Sequence, residues 1–327
     1  MGYEGADLAE RIRQVGWAGS RKPPRIFEDT TEFMDIGPGD VIRLGHCDYL
    51  ITSHAKEGRF GIDEQPKFWV KRAIDLGSGA RRIVKLAFRE TFKGRIGALE
   101  FACVRSPEKE AAVLAATAGH PNFMQGTQIK DCSGNLVRIL DPLPGPSLYR
   151  YLRDLDLSHM AYFDTLFVQV MARFMESLAA IVYLHDLGLH HGDIRADHLL
   201  WTRDQAGLAW IDFDYDMGGP AMDVFCLGNV LQQVVGKGRH SLDDIRNTPG
   251  AYPDFKTTLE ASDMSLMYPH RVMNLRKLFP HIPDRLNAVL MRFSPAAANG
   301  SATETPYARA ADLLADLKAC FAGHSNP

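Results

Sequence analysis

The sequence has no excess of either charge. Its 37 Lys and Arg stand against 40 Asp and Glu, a net charge of -3 over 327 residues, so no bulk attraction draws it to nucleic acid or to an anionic membrane. Any anion site must be local. Cysteine is sparse. Cys47, Cys103, Cys132, Cys226 and Cys320 stand singly, with no C-x-x-C pair, and an odd, scattered count argues against a disulfide framework or a zinc knuckle and for a reduced, cytoplasmic chain. A long apolar run is also missing. The most apolar stretch, residues 163–189, is interrupted by Asp164, Gln169, Arg173, Glu176 and Asp186, short of the ~20 apolar residues of a membrane span. The first residues carry charges where a signal peptide needs an apolar core, which predicts an unprocessed start. Internal repeats and low-complexity tracts are absent. What remains is 46% hydrophobic and 24% charged, the balance of a soluble globular chain. At roughly 150 residues per domain its length allows two folding units or one two-lobed domain.

Residues 1–40 read as an N-terminal extension, with a short helical pattern (Leu8, Ile12, Val15) before a Lys-Pro-Pro break and Gly37-Pro38-Gly39. From Val41 the pattern becomes strands: 41–52, then 67–76, then 81–90. The last two flank Gly77-Ser78-Gly79-Ala80, which predicts an antiparallel hairpin. Ser106-Pro107-Glu108 opens a helix, with a capping serine, a first-turn proline and early acids. Gly119-His120-Pro121 ends it. Ser133-Gly134-Asn135 predicts a second hairpin, and Asp141-Pro142-Leu143-Pro144-Gly145-Pro146 breaks all regular structure. Beyond that break, apolar residues at 167, 170, 171, 174, 178, 181 and 182 give the stripe of an amphipathic helix. Helices continue to the end, the last expected to start at Thr305-Pro306 and to bury Leu313, Leu314, Leu317 and Phe321. The class is α+β, sheet-rich first and helix-rich second, with boundaries at 1–40, 41–143 and 144–327.

Residues 184–200, L-H-D-L-G-L-H-H-G-D-I-R-A-D-H-L-L, followed by A-W-I-D-F-D at 209–214, are the most informative part of the chain. They offer Asp193 in a turn after a long buried helix and Asp212 after a short apolar strand. Two acids so placed suit a base and a metal ligand, although one lone Asp more often only closes a turn. Here the chain resembles the protein kinase superfamily, whose catalytic loop reads H-R-D-x-x-x-x-N and whose metal loop reads D-F-G. The matches are H-G-D at 191–193 and D-F-D at 212–214. I-V-K at 83–85 is similar to the V-A-I-K strand, residues 110–122 to the helix after it and its exit, residues 140–148 to the hinge, and residues 223–231 to the helix that braces the catalytic loop.

The resemblance implies a two-lobed fold with an antiparallel-sheet N-lobe carrying one main helix and a mostly helical C-lobe. It implies ATP with Mg2+ or Mn2+, and transfer of the γ-phosphate to a hydroxyl on a protein or small molecule. Lys85 would hold the α and β phosphates, paired with Glu110, for which Glu108 is the rival. Asp193 would orient the acceptor, Arg195 would stand near the γ phosphate, and backbone groups of Asp141 and Leu143 would meet adenine. Asp212, His198 and Asp214 would form the metal surroundings. His185, His190 and His191 look like a metal cluster, but adjacent histidines cannot all point one way.

The chain departs from the pattern in four places. His198 replaces the second metal-binding asparagine, and imidazole suits Mn2+ better than Mg2+. Asp214 replaces the glycine of D-F-G. No G-x-G-x-x-G is found, residues 52–66 being read as a loop longer than a phosphate-covering one, with only Gly58 and Gly61 inside it. Only ten residues separate Asp212 from Asp223, too few for an activation loop or a peptide-docking platform. The alternative to a phosphotransferase is a pseudokinase, a nucleotide-binding or scaffolding module.

Overall fold

Alternating apolar side chains make residues 41–140 mainly strands, and 3.6-residue periodicity makes most of the chain beyond them helical. The computed structural model describes residues 2–17, 19, 23–59, 62–96, 99–202, 207–256, 258–298 and 305–322. The chain runs α1 (Gly5–Gln14), β1 (Ile26–Phe27), β2 (Val41–Leu44), β3 (Cys47–Arg59), β4 (Ile62–Asp75), β5 (Arg81–Lys85), β6 (Glu90–Ile96), β7 (Leu99–Arg105), α2 (Pro107–Ala116), β8 (Gly126–Lys130) and β9 (Leu136–Leu140). It continues through α3 (Leu148–Asp154), α4 (His159–Thr165), α5 (Phe167–Asp186), β10 (Leu199–Trp201), β11 (Leu208–Trp210), β12 (Tyr215–Met217), α6 (Gly219–Gly236), α7 (Leu242–Asn247), α8 (Asp284–Met291), α9 (Pro295–Ala298) and α10 (Ala310–Phe321). Two compact units result. The first holds Met1–Glu90, Arg105–His120 and Met124–Pro142, the second Thr91–Val104, Pro121–Phe123 and Leu143–Pro327.

The first unit is a sheet of order β1-β2-β3-β4-β5-β9-β8, antiparallel apart from the β1–β2 pair. Neighbours along β2 go to opposite faces. Val41 packs with Leu50 and Leu76 against Leu8 of α1, while Ile42 joins Ile51, Val84 and Ile139 on the other side. Residues 1–40 therefore bury part of this unit's sheet. The β4–β5 turn is held by the Asp75 carboxylate, which accepts from the Gly77 N–H at 2.8 Å, with Gly79 at φ 76°. Ser106 caps α2 as its sequence predicts, accepting from the Glu108 and Lys109 N–H groups. Residues 41–52 are not one strand, because a turn with Gly45 at φ 60° separates β2 from β3. Residues 52–66 are not a loop either. Apart from Phe60 and Gly61, which lie outside the described residues, they extend β3 and β4 into strands of 13 and 14 residues. Their polar sequence hid this, since ladder hydrogen bonds form whatever the side chains.

In the second unit α5 packs on α6 and α10. It is the one helix among the described residues long and apolar enough to cross a membrane, but its apolar residues Val170, Met171, Phe174, Leu178, Ile181 and Leu184 are buried in the unit's own core. The residue 163–189 stretch is apolar for that reason. α10 begins at Ala310 rather than at Thr305-Pro306, and Phe321 is only half-buried, its ring 6.0 Å from Phe167. The Thr305 carbonyl instead accepts from Arg292 Nε at 2.8 Å. β6 and β7 join β12 in a three-stranded sheet of order β12-β7-β6, with Phe92 edge-on to Tyr215 at 6.1 Å.

His159, at the start of α4, is locked in one tautomer. Its Nε2–H donates to the Val235 carbonyl (3.0 Å), so Nδ1 accepts from His281 Nε2 (2.8 Å), and the ring lies flat on Phe279 at 3.7 Å. Burial pushes its pKa from 6.5 down to about 3, and burial lowers His240 and His281 too. Between pH 6.5 and 3 the unfolded chain binds protons that the folded one refuses. The contribution of His159 is thus present above pH 6.5 and falls on acidification by up to about 1.4 kcal/mol per pH unit, with His240 and His281 acting in the same direction. Urea midpoints measured from pH 7 to pH 4 should fall in the wild type and fall less steeply in His159→Phe. Parallel profiles would show that His159 is not the group responsible.

Candidate functional site

Register decides the chemistry of the first unit. Lys85 of β5 pairs directly with Arg138 of β9, so both side chains stand on one face of the sheet. Two cations so placed repel. Glu110 of α2 lies over both, with Oε1 2.6 Å from Lys85 Nζ and Oε2 3.1 Å from Arg138 Nε. All three residues are buried. Arg138 also donates to the Leu86 and Leu136 carbonyls at 3.2 and 3.0 Å. Glu108 is turned away on an exposed ion pair with Arg89, which holds its carboxyl at about 2. Arg138 was missed by sequence reading. The signal was an arginine inside the apolar strand L-V-R-I-L, where only a buried counterion would keep it.

Asp141, also in this unit, is exposed. Its N–H donates to the Gln125 carbonyl at 2.9 Å, which leaves its own carbonyl for other partners. Leu143 begins the next stretch of the second unit, and among the described residues its N–H has no backbone partner.

In the second unit the His-Gly-Asp turn hangs on one acid. Asp223 of α6 is buried and accepts from the His191 N–H (2.7 Å), the Gly192 N–H (2.9 Å) and His185 Nε2 (3.0 Å). Burial alone would raise its carboxyl, but these donors hold it below the usual carboxylate range. Gly192 has φ 83°, a conformation that penalises any β-carbon, so glycine there follows from backbone geometry. His191 accepts the Asp193 N–H at Nδ1 (3.3 Å) and packs against Trp210 and Phe213. Trp210 is pinned in turn by its Nε1–H on the Ser177 carbonyl of α5.

Asp193 emerges from this turn with 12% of its side chain exposed. His198 Nδ1–H donates to the Asp193 carbonyl (2.9 Å), and its Nε2 accepts from Arg195 Nη2 (2.9 Å). Arg195 also forks onto Asp197 at 3.1 and 2.8 Å, with Nε 4.0 Å from Asp193 Oδ1. Asp212 Oδ2 lies 3.6 Å from His198 Nε2. Its backbone is left-handed, φ 68°, a strain of about 1 kcal/mol or more for a residue with a β-carbon. Phe213 and Asp214 after it are buried. The structure thus gathers Asp193, Arg195, His198 and Asp212 in the second unit and Lys85 with Glu110 in the first. His190 bonds Asp216 (2.8 Å) and His185 bonds Asp223, so the three loop histidines do not converge. Among the described residues no group of three or more His, Cys, Asp and Glu side chains is placed to hold a metal ion.

A β-strand lysine on a helix glutamate, a long break, an H-x-D turn, a D-F-x turn and a helix acid bracing the H-x-D backbone define a protein kinase-like fold. No protein-family model matches the chain. Sperm motility kinase 2B of Mus musculus is 26% identical over 129 residues, 38% of this chain, and the match spans a quarter of that protein's length. Among solved structures, the PknI kinase domain of Mycobacterium tuberculosis is 15% identical with a TM-score of 0.49, over 83% of this chain and 94% of that one.

The shared acid makes an ordered prediction. Glu110→Ala removes the carboxylate that two buried cations share and should cost about 3–5 kcal/mol, whereas Lys85→Met leaves Glu110 still paired with Arg138 and should cost clearly less. Chemical denaturation of both variants measures this. Equal losses would mean that Arg138 does not share the carboxylate.

Proposed function

We propose that the chain is an ATP-dependent phosphotransferase acting on a hydroxyl acceptor. The observation that carries this reading is Lys85, a buried strand lysine whose ammonium is fixed 2.6 Å from a buried glutamate. A lysine so fixed is a rigid point charge for the α and β phosphates, and it needs no reorganisation when they bind. The Asp141 carbonyl and the Leu143 N–H offer adenine one acceptor and one donor. Asp193, held by the backbone hydrogen bonds of its turn, orients the acceptor hydroxyl and takes its proton. Arg195 adds a guanidinium for phosphate oxygens. Residues 56–61, K-E-G-R-F-G, fall where β3 gives way to β4 in the chain and keep the second and third glycines of a G-x-G-x-x-G loop as Gly58 and Gly61.

A divalent cation, when bound, neutralises charge on the β and γ phosphate oxygens. The Asp212 carboxylate fits that role, since hard cations take oxygen ligands. Asp214 follows it, buried. His198 fits less well, because its Nε2 lone pair is directed at Arg195 and imidazole is a poor ligand for Mg2+. That engagement is also what favours the second reading, a pseudokinase that binds nucleotide without turnover. The acceptor is taken as a small molecule or a folded partner. Between Asp212 and α6 the chain has room only for the three-residue β12, too short a segment to build the peptide-docking platform of an ordinary protein kinase.

Millimolar ATP with Mg2+ or Mn2+ should raise the melting temperature by mass action, and Asp212→Asn should remove most of the metal-dependent part. No shift in the wild type would defeat both readings. A shift without Asp193-dependent consumption of labelled ATP, alone or with cell extract, would select the pseudokinase. Generic unstructured Ser/Thr peptides should not be phosphorylated, and rapid Asp193-dependent labelling of them would place the chain among ordinary Ser/Thr kinases.

A further inference from the structure

Arg195 and His198 stand three residues apart, and the single turn of 3-10 helix at Ala196–His198 brings their side chains to one side. The Arg195 Nη2 lies 2.9 Å from His198 Nε2. A guanidinium only donates, so Nε2 accepts and the ring proton sits on Nδ1, which donates it to the Asp193 carbonyl at 2.9 Å. The imidazole is buried and held at both nitrogens. Asp197 grips the same guanidinium in a fork, with Oδ1 3.1 Å from Nε and Oδ2 2.8 Å from Nη2. Arg195 Nε also lies 4.0 Å from Asp193 Oδ1, and on the far side His198 Nε2 is 3.6 Å from Asp212 Oδ2. One guanidinium is thus built in beside the acid of the H-x-D turn and the imidazole that faces Asp212.

Protein kinases hold two divalent ions, one on the acid of D-F-G and one on the asparagine of the catalytic loop. His198 stands where that asparagine is expected, and it does not fit the second ion. An asparagine oxygen has two lone pairs, whereas the one lone pair of this ring is already given to an N–H. A dication brought to Nε2 would also meet the guanidinium at short range, where like charges repel.

We propose that, within the phosphotransferase reading on which this rests, Arg195 seated on His198 replaces the second divalent ion, so that the chain takes one such ion with nucleotide, at Asp212. A guanidinium keeps its charge throughout the working pH range, and its planar fork matches phosphate oxygens. Charge that a two-ion site recruits from solvent is here part of the chain, already oriented. The histidine at 198 and the arginine at 195 are then one change rather than two.

The test counts bound Mn2+ from the paramagnetic resonance of the unbound ion, in the full chain saturated with a non-hydrolysable ATP analogue. One Mn2+ per chain is expected in the wild type. Arg195→Ala, at a side chain 43% exposed, uncovers the imidazole and should take two, and the double variant Arg195→Ala/His198→Ala should return to one. Any wild-type count other than one overturns the proposal, two being the result if Arg195 swings onto the phosphates and releases His198. A single ion in Arg195→Ala overturns it as well. Repeating the count without nucleotide separates this inference from the reading beneath it. Arg195→Ala should then bind one Mn2+ more than the wild type at millimolar metal, and equal counts would sink the proposal. An analogue that fails to bind counts against the phosphotransferase reading.

Discussion

The Glu110 carboxylate, buried between Lys85 and Arg138, is the interaction on which the first unit's chemistry depends. Neither cation could stay buried alone, and side by side across a ladder they would repel. One carboxylate with two oxygens settles both, which fixes α2 over β5 and β9 and sets the height of the lysine ammonium. Arg138 changes the logic of the pair. A lysine and glutamate alone form a contact that opens when either side chain turns. With a third partner that also donates to two main-chain carbonyls, Glu110 keeps one ion pair even when the Lys85 side chain turns away.

The second unit uses an acid in the opposite sense. Asp223 binds no reacting atom in the proposed function. It accepts two backbone N–H groups and one imidazole, and so folds the His-Gly-Asp turn from below. His191 transmits this to the Asp193 N–H, and Trp210 and Phe213 wall the imidazole in. Asp193 is therefore positioned chiefly by main chain, with Arg195 Nε 4.0 Å and His198 Nδ1 3.6 Å from its carboxylate oxygens. The left-handed backbone at Asp212 fits the same pattern, strain held in place by the buried Phe213 and Asp214 that follow it.

The sheet of β6, β7 and β12 shows how a short segment after Asp212 is ordered without the long loop found in ordinary protein kinases. Three residues of β12 have too few contacts to hold a position, and pairing with β7 supplies them. The segment is thereby kept short and paired on one side, with β12 at the edge of its sheet.

Much of this was legible in the chain itself. The Gly-Ser-Gly-Ala turn, the Ser106 cap, the stripe of α5, and the order of I-V-K, H-G-D and D-F-D are local patterns, decided by dihedral preference and periodicity within a few residues. The choice of Glu110 over Glu108 was legible for the same reason, since helical spacing sets which face each occupies. Other features are not local. The strands made of residues 52–66 are polar and owe their form to pairing, the start of α10 depends on what packs beneath it, and the partnership of Arg138 with Glu110 joins residues 28 positions apart. A sequence shows that an arginine stands at position 138, but whether a carboxylate comes near it is fixed only when every other element has taken its place, because Coulomb and desolvation energies depend on distance in space and not along the chain.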